Sequence, residues 1–178
     1  MRSFYLALAC LVALSLGIPV VAQTKAAPTK TAAPSGAADK EKIETLYQAY
    51  VKAFKAKDVN AIMSLYDPNE LFVFDVIPPR EYPSWAAYKK DWEDLFASKP
   101  GQTDIHLTNL EVTVVGPVAY AHNIQSVYFT GPDDSRINLS VRVTDVLRKV
   151  NGKWLIVQEH VSVPVDLATG KADLLSRP

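Results

Sequence analysis

The chain of 178 residues carries 19 basic and 19 acidic side chains and is 48% hydrophobic. So even a balance, without a basic block, excludes a grip on nucleic acid through phosphate neutralisation. The single cysteine, Cys10, excludes an internal disulfide or a cysteine metal site, and the length is that of one domain plus short tracts.

The first 22 residues, MRSFYLALACLVALSLGIPVVA, combine Arg2, an apolar run and the small-residue site Val20-Val21-Ala22. This pattern predicts a signal peptide over residues 1–22, cleaved after Ala22, and a periplasmic or secreted protein with no stable membrane insertion afterwards. A retained anchor is the other reading, which Gly17, Pro19 and Ala22 fit less well. Cys10 has Ala7 three residues before it, where a lipoprotein site has a branched apolar residue. Without Arg2, 18 basic residues stand against 19 acidic ones. Residues 23–38, QTKAAPTKTAAPSGAA, hold no large apolar side chain, and they read as a flexible linker before a folded domain over 39–178.

From Lys40 to Lys57, Ile43, Leu46, Tyr47, Tyr50, Val51 and Phe54 recur at spacings of three and four, one stripe of an amphipathic helix. Asp58 is placed to cap a short helix, VNAIMSLY, which Asp67-Pro68 ends. FVFDVIPP follows as a short strand bearing one carboxylate, Asp75, and stopped by Pro78-Pro79; the lid-like REYPSW leads onward. Ser84 then caps a third helix, WAAYKKDWEDLFAS, closed by Pro100-Gly101. Beyond it the pattern becomes β: DIHLTNLEVTVVG, VAYAHNIQSVYF, RINLSVRVTDVLRK and KWLIVQEHVSVPV, separated by Gly- and Asn-containing turns. Helices followed by an antiparallel meander predict an α+β fold, a curved sheet wrapped around three N-terminal helices into a cone with a cavity.

The faces of the last hairpin decide which polar residues reach that cavity, and they depend on its loop. A two-residue Asn151-Gly152 loop pairs odd positions with even ones, whereas a three-residue loop with Gly152 left-handed pairs odd with odd. The second choice is preferred. It gives an apolar face interrupted only by Asp145 and Glu159, opposite a face holding Arg142, Thr144, His160 and Ser162.

The order of elements, together with FDVIPP, AYKKDWEDLF, AYAHN and RVTDVLRKVNGKWLIVQEHVSVP, resembles the SnoaL-like domains, or ketosteroid isomerase homologues, of the nuclear transport factor 2-like superfamily. The resemblance runs from Ile43 to the tail segment VPVDLATGKADL and implies the cone fold, but no single reaction, because that fold hosts isomerases, dehydratases, cyclases, binding domains and assembly hubs. Ketosteroid isomerase uses an aspartate base, a tyrosine and a protonated aspartic acid. The resemblance places Asp75 at the base, Tyr50 at the tyrosine and Asp145 at the oxyanion acid. Asp-Val-Ile-Pro-Pro replaces that enzyme's Asp-Pro-Val-Gly, the last hairpin is one residue shorter, and Glu159 and His122 are expected to join the pocket where that enzyme is mostly apolar, so a steroid substrate does not follow.

Proton abstraction beside a carbonyl needs a base within hydrogen-bond reach and donors for the enolate. Asp75 among Phe72, Phe74, Val76 and Ile77 suits the base, since desolvation raises a carboxyl; the alternative is a strand-end cap or an ion pair with Arg80. Asp145 on an apolar strand face is costly unless protonated, paired or facing a cavity. With Glu159 beside it, one of the pair is expected to titrate high; the alternative is a bulge that turns both to solvent. His122, Glu159, Tyr88, Trp92 and Tyr82 are candidate ligand contacts, with a structural role as the alternative for His122. Arg142, Thr144, His160 and Ser162 are expected to form a structural polar network or a dimer contact. The aromatic residues are first of all core.

No HxH or HxxxH spacing, nucleophile elbow, phosphate loop or dinucleotide fingerprint occurs, so neither a metal nor a cofactor is expected. The expected partners are a small organic molecule and a second copy of the chain, because only one of two semi-apolar sheet faces can be covered by the helices. The functional expectation is a cofactor-independent isomerase or dehydratase working by proton transfer. Its alternative is a non-catalytic ligand-binding or dimeric assembly domain, and the two are separated by whether Asp75 and Asp145 converge on one cavity.

Overall fold

The computed structural model describes residues 36–176, so the expected signal peptide and most of the linker lie outside the described residues. Helix α1 spans Gly36–Ala56, so Gly36 to Ala38, expected in the linker, are already helical. It buries Ile43, Leu46, Tyr47, Tyr50, Ala53 and Phe54 along one stripe. Helix α2, Val59–Met63, is capped by the Asp58 carboxylate, which accepts from the Ala61 amide at 2.9 Å. Helix α3, Trp85–Ser98, starts where the Ser84 hydroxyl accepts from Ala87 and buries Tyr88, Trp92 and Phe96. Lys57 adopts a left-handed φ of 55° between the first two helices. Its Nζ donates to the carbonyls of Lys99 and Gly101, tying that junction to the end of α3.

Strands β1 (Phe72–Phe74), β2 (Thr103–Val115), β3 (Val118–Thr130), β4 (Arg136–Val150) and β5 (Lys153–Ser162) form an open sheet in the order β1-β5-β4-β3-β2. β1 runs parallel to β5, and the three other pairings are antiparallel. A short hairpin, β6 (Val165–Asp166) and β7 (Lys171–Ala172), was not expected from the tail's sequence. The core lies between the helices and one sheet face, where Ala119, Ala121, Val127 and Phe129 of β3 and Val141, Val143 and Leu147 of β4 are buried.

The inward faces of β3 and β4 keep one parity throughout, whereas β2 and β5 change theirs. In β2 a register shift between Thr108 and Glu111, with Asn109 at φ 53°, moves the buried set from Thr103 and Ile105 to Val112. In β5 the turn is a two-residue loop, since Val150 pairs with Lys153 while Asn151 and Gly152 both have positive φ. Beyond it the register shifts between Val146 and Leu147, leaving Val157 as an extra residue. The preferred three-residue loop is therefore incorrect, and Trp154 and Ile156 point inward. The pairing it predicted at the acids is nevertheless correct: Asp145 faces Glu159, and Val143 faces Val161.

Candidate active site

Between α1, α3 and the inward sheet face lies a cavity of about 240 Å³. Its walls are mainly apolar: Phe54, Leu95, Val127, Phe129, Ile137, Leu139, Val141 and Val161, with Val76 and Ile77 from the segment after β1. The polar groups are Tyr50 from α1, Tyr88, Asp91 and Trp92 from α3, Lys99 at its end, Gln125 from β3, Glu159 from β5 and Asp75. A site of this composition holds a small organic molecule by shape and orients it with a few polar contacts.

Asp75 follows directly on β1, whose pairing with β5 brings it beside Glu159's strand. Its Oδ1 accepts from the Val76 amide at 2.5 Å. Burial, helped by the negative charge of Glu159 and opposed by that amide, raises its pKa to about 7. Asp75 makes no ion pair with Arg80 among the described residues, but its bond from the Val76 amide is the strand-end cap of the alternative reading, so the carboxyl caps β1 and lines the cavity at once.

Asp145 is 1% exposed and Glu159 4%, and they are cross-strand partners. Tyr47 donates to Asp145 Oδ2 at 2.5 Å; Tyr66 and Tyr88 donate to Glu159 Oε2 and Oε1 at 2.8 and 2.5 Å. Burial pushes Asp145 well above the ordinary carboxylate range, with the Glu159 charge adding to the effect. Burial raises Glu159 too, against the hydrogen bonds from Tyr88 and Tyr66.

Of the three residues expected to converge, Asp75 and Tyr50 line the cavity, and Asp145 does not. Asp145 lies behind the wall because its inward position on β4 abuts Tyr47 of α1; Glu159 occupies the wall instead. Tyr88 and Trp92 line the cavity as expected, but Tyr82 does not: its backbone bridges Val73, and its hydroxyl donates to Asp91 at 2.7 Å. His122 is exposed on the opposite sheet face, since the buried set of β3 is Ala119, Ala121, Asn123, Gln125, Val127 and Phe129; the pocket assignment for it is wrong. Arg142, Thr144, His160 and Ser162 share the outer face, as expected from the pairing. They form no hydrogen-bonded network among the described residues, and His160 sits instead edge-on to Phe74 at 5.6 Å.

Sequence reasoning missed Asp91, Lys99 and Gln125. Asp91 on α3 and Lys99 just beyond its end lie four residues either side of Leu95, a spacing that could have revealed them, and Gln125 shares the parity of Val127 and Phe129. Trp92 carries a further signal: its Nε1–H is buried without a hydrogen-bond partner among the described residues. Tyr50, unlike Tyr47, Tyr66 and Tyr88, is bonded to no carboxylate among the described residues. No group of three or more metal-ligating side chains is assembled among the described residues.

A curved antiparallel sheet, helices packed into it and an acid-containing cavity between them define the nuclear transport factor 2-like class. Within that class the chain belongs to the SnoaL-like domain family, whose pattern matches residues 43–166. It is similar to a nuclear transport factor 2-like protein of unknown function from Pseudomonas putida, at 27% identity and a TM-score of 0.72, covering 80% of this chain and 98% of that one. It also shares its fold with a provisionally assigned dehydratase from Streptomyces avermitilis (18% identity, TM-score 0.64, 72% and 97% covered). A provisionally assigned scytalone dehydratase from Novosphingobium aromaticivorans is similar to the same degree (17%, 0.65, 72% and 86%). No curated protein matches the chain.

Proposed function

We propose that the cavity binds a small oxo or hydroxy compound and moves a proton on it without a cofactor, as in isomerisation or dehydration. The observation that carries this reading is Asp75, a cavity-wall carboxyl whose pKa of about 7 suits a general base near neutral pH. Tyr50 is the candidate donor to a developing oxyanion. The two provisionally assigned dehydratases of the same fold are consistent with this class of chemistry. A panel of small cyclic and open-chain oxo and hydroxy compounds, followed by NMR for deuterium uptake or loss of water, tests it. Asp75→Asn should reduce the rate at least about a hundredfold while leaving binding measurable. An unchanged rate in that variant sinks the role of Asp75.

The alternative, ligand binding without turnover, is favoured by one specific observation: Asp145 does not reach the cavity, so the expected three-residue constellation is incomplete. Binding of panel members with no proton exchange in the wild type would select it. We also propose that two copies pair through the outer sheet face, which the helices leave uncovered.

A further inference from the structure

The pair Asp145 and Glu159 has an arithmetic of donors and acceptors that the proposed reaction does not use. Each oxygen of Glu159 accepts from a tyrosine, Tyr66 on Oε2 and Tyr88 on Oε1. Asp145 Oδ2 accepts from Tyr47, whereas its Oδ1 is buried with no donor among the described residues. An ionised carboxylate oxygen with no donor, in a site that holds a second carboxylate across the strand pair, is the arrangement a fold tolerates least. A proton on Oδ1 removes the problem: the orphan becomes a donor, and Glu159 is the carboxylate next to it. The proton belongs on Asp145 rather than Glu159 by counting. Placed there, it leaves Glu159 with three donors; placed on Glu159, it leaves Asp145 with two.

We propose that Asp145 is a neutral carboxylic acid and a positioning residue, donating its Oδ1 hydrogen to Glu159 and thereby holding Glu159 as a fixed carboxylate in the wall that it shares with Asp75. The groups facing this cluster come from every element packed on it: Tyr47 and Tyr50 from α1, Tyr66 after α2, Tyr88 and Asp91 from α3, and Asp75. Lys99 is the cation of the cavity lining. A fixed negative charge beside Asp75 strengthens it as a base and repels ligands whose buried end is anionic. The link to turnover rests on the reading of Asp75 as the base; the location of the proton does not.

The test needs no ligand. Carboxyl-13C NMR of the full chain labelled at Asp and Glu, titrated from pH 4 to 9, reports each group. At pH 7 Asp145 should resonate as an acid and Glu159 as a carboxylate, with Asp75 changing near pH 7. Asp145→Asn, whose amide can still donate to Glu159 and accept from Tyr47, should leave the Asp75 midpoint in place. Asp145→Ala and Glu159→Gln should lower it by about one unit. An ionised Asp145 or a protonated Glu159 in the wild type at pH 7 overturns the proposal whether or not any variant folds. So does an Asp145→Asn variant that shifts Asp75 as far as Asp145→Ala does.

Discussion

Asp75 is held in a form that works against the fold. An unfolded aspartate titrates near 3.9, and here the group titrates at about 7 because it is partly buried near Glu159. The native state therefore binds its proton more tightly, so this contribution to stability is fully present below the unfolded value and is lost as the pH rises through about 7. Asp145 and Glu159, both raised, act with the same sign. Asp75→Asn should accordingly stabilise the protein at pH 8, on the order of 1–2 kcal/mol after allowance for partial exposure, and give no gain at pH 4. Urea denaturation at both values measures it, and a loss of stability at pH 8 would contradict the burial argument. The sequence made this acid conspicuous because a carboxylate stands between Phe74 and Val76 on an apolar strand, ahead of two prolines. His122 was misread for the opposite reason: a lone residue on an alternating strand reveals its face only through its neighbours, and Ala119 and Ala121 are too small to mark theirs as buried.

At the scale of the element, the last hairpin shows what alternation can and cannot reveal. The Asn151-Gly152 dipeptide predicted a turn at the right place, and both residues have the positive φ that a type I′ turn demands. A Cβ added at Gly152 would meet nothing within 4 Å, so only backbone strain opposes a side chain there. Gly152→Ala should cost about 1 kcal/mol in chemical denaturation without altering the cavity, and a neutral effect would mean that the turn adopts another form. The bulge at Val157 was invisible in the sequence, because Val157 is as good a strand residue as its neighbours and nothing marks it as the extra one. The coherent apolar face nonetheless selected the correct pairing of Asp145 with Glu159, through a loop of the wrong length.

For the molecule as a whole, the division into helices first and sheet afterwards was legible because the apolar period changes from helical to alternating after Gly101. The composition of the cavity was less so, since its contents depend on how far each element penetrates. Asp145 and Glu159 both point inward, yet Tyr47 of α1 closes over the first of them while the second reaches the cavity. The outer sheet face carries Tyr120 at 49% exposure and Val118 at 39%, beside a polar row of His122, Thr144 and His160 brought into register across three strands. Pairing through this face predicts a dimer by light scattering at micromolar concentration, and Tyr120→Glu should shift it to monomer. A wild-type monomer would refute that assembly.

The extra residue at Val157 also governs how kinship at this site has to be traced. A hairpin with one residue more in its turn and one fewer in its strand would bring the same two acids face to face at the same interval along the chain, so that interval survives an exchange of a bulge for a longer turn. Relatives that keep the acid pair are therefore to be sought by that interval, whereas the positions between turn and bulge, Trp154 and Ile156 here, exchange faces between the two forms and carry no trace of kinship.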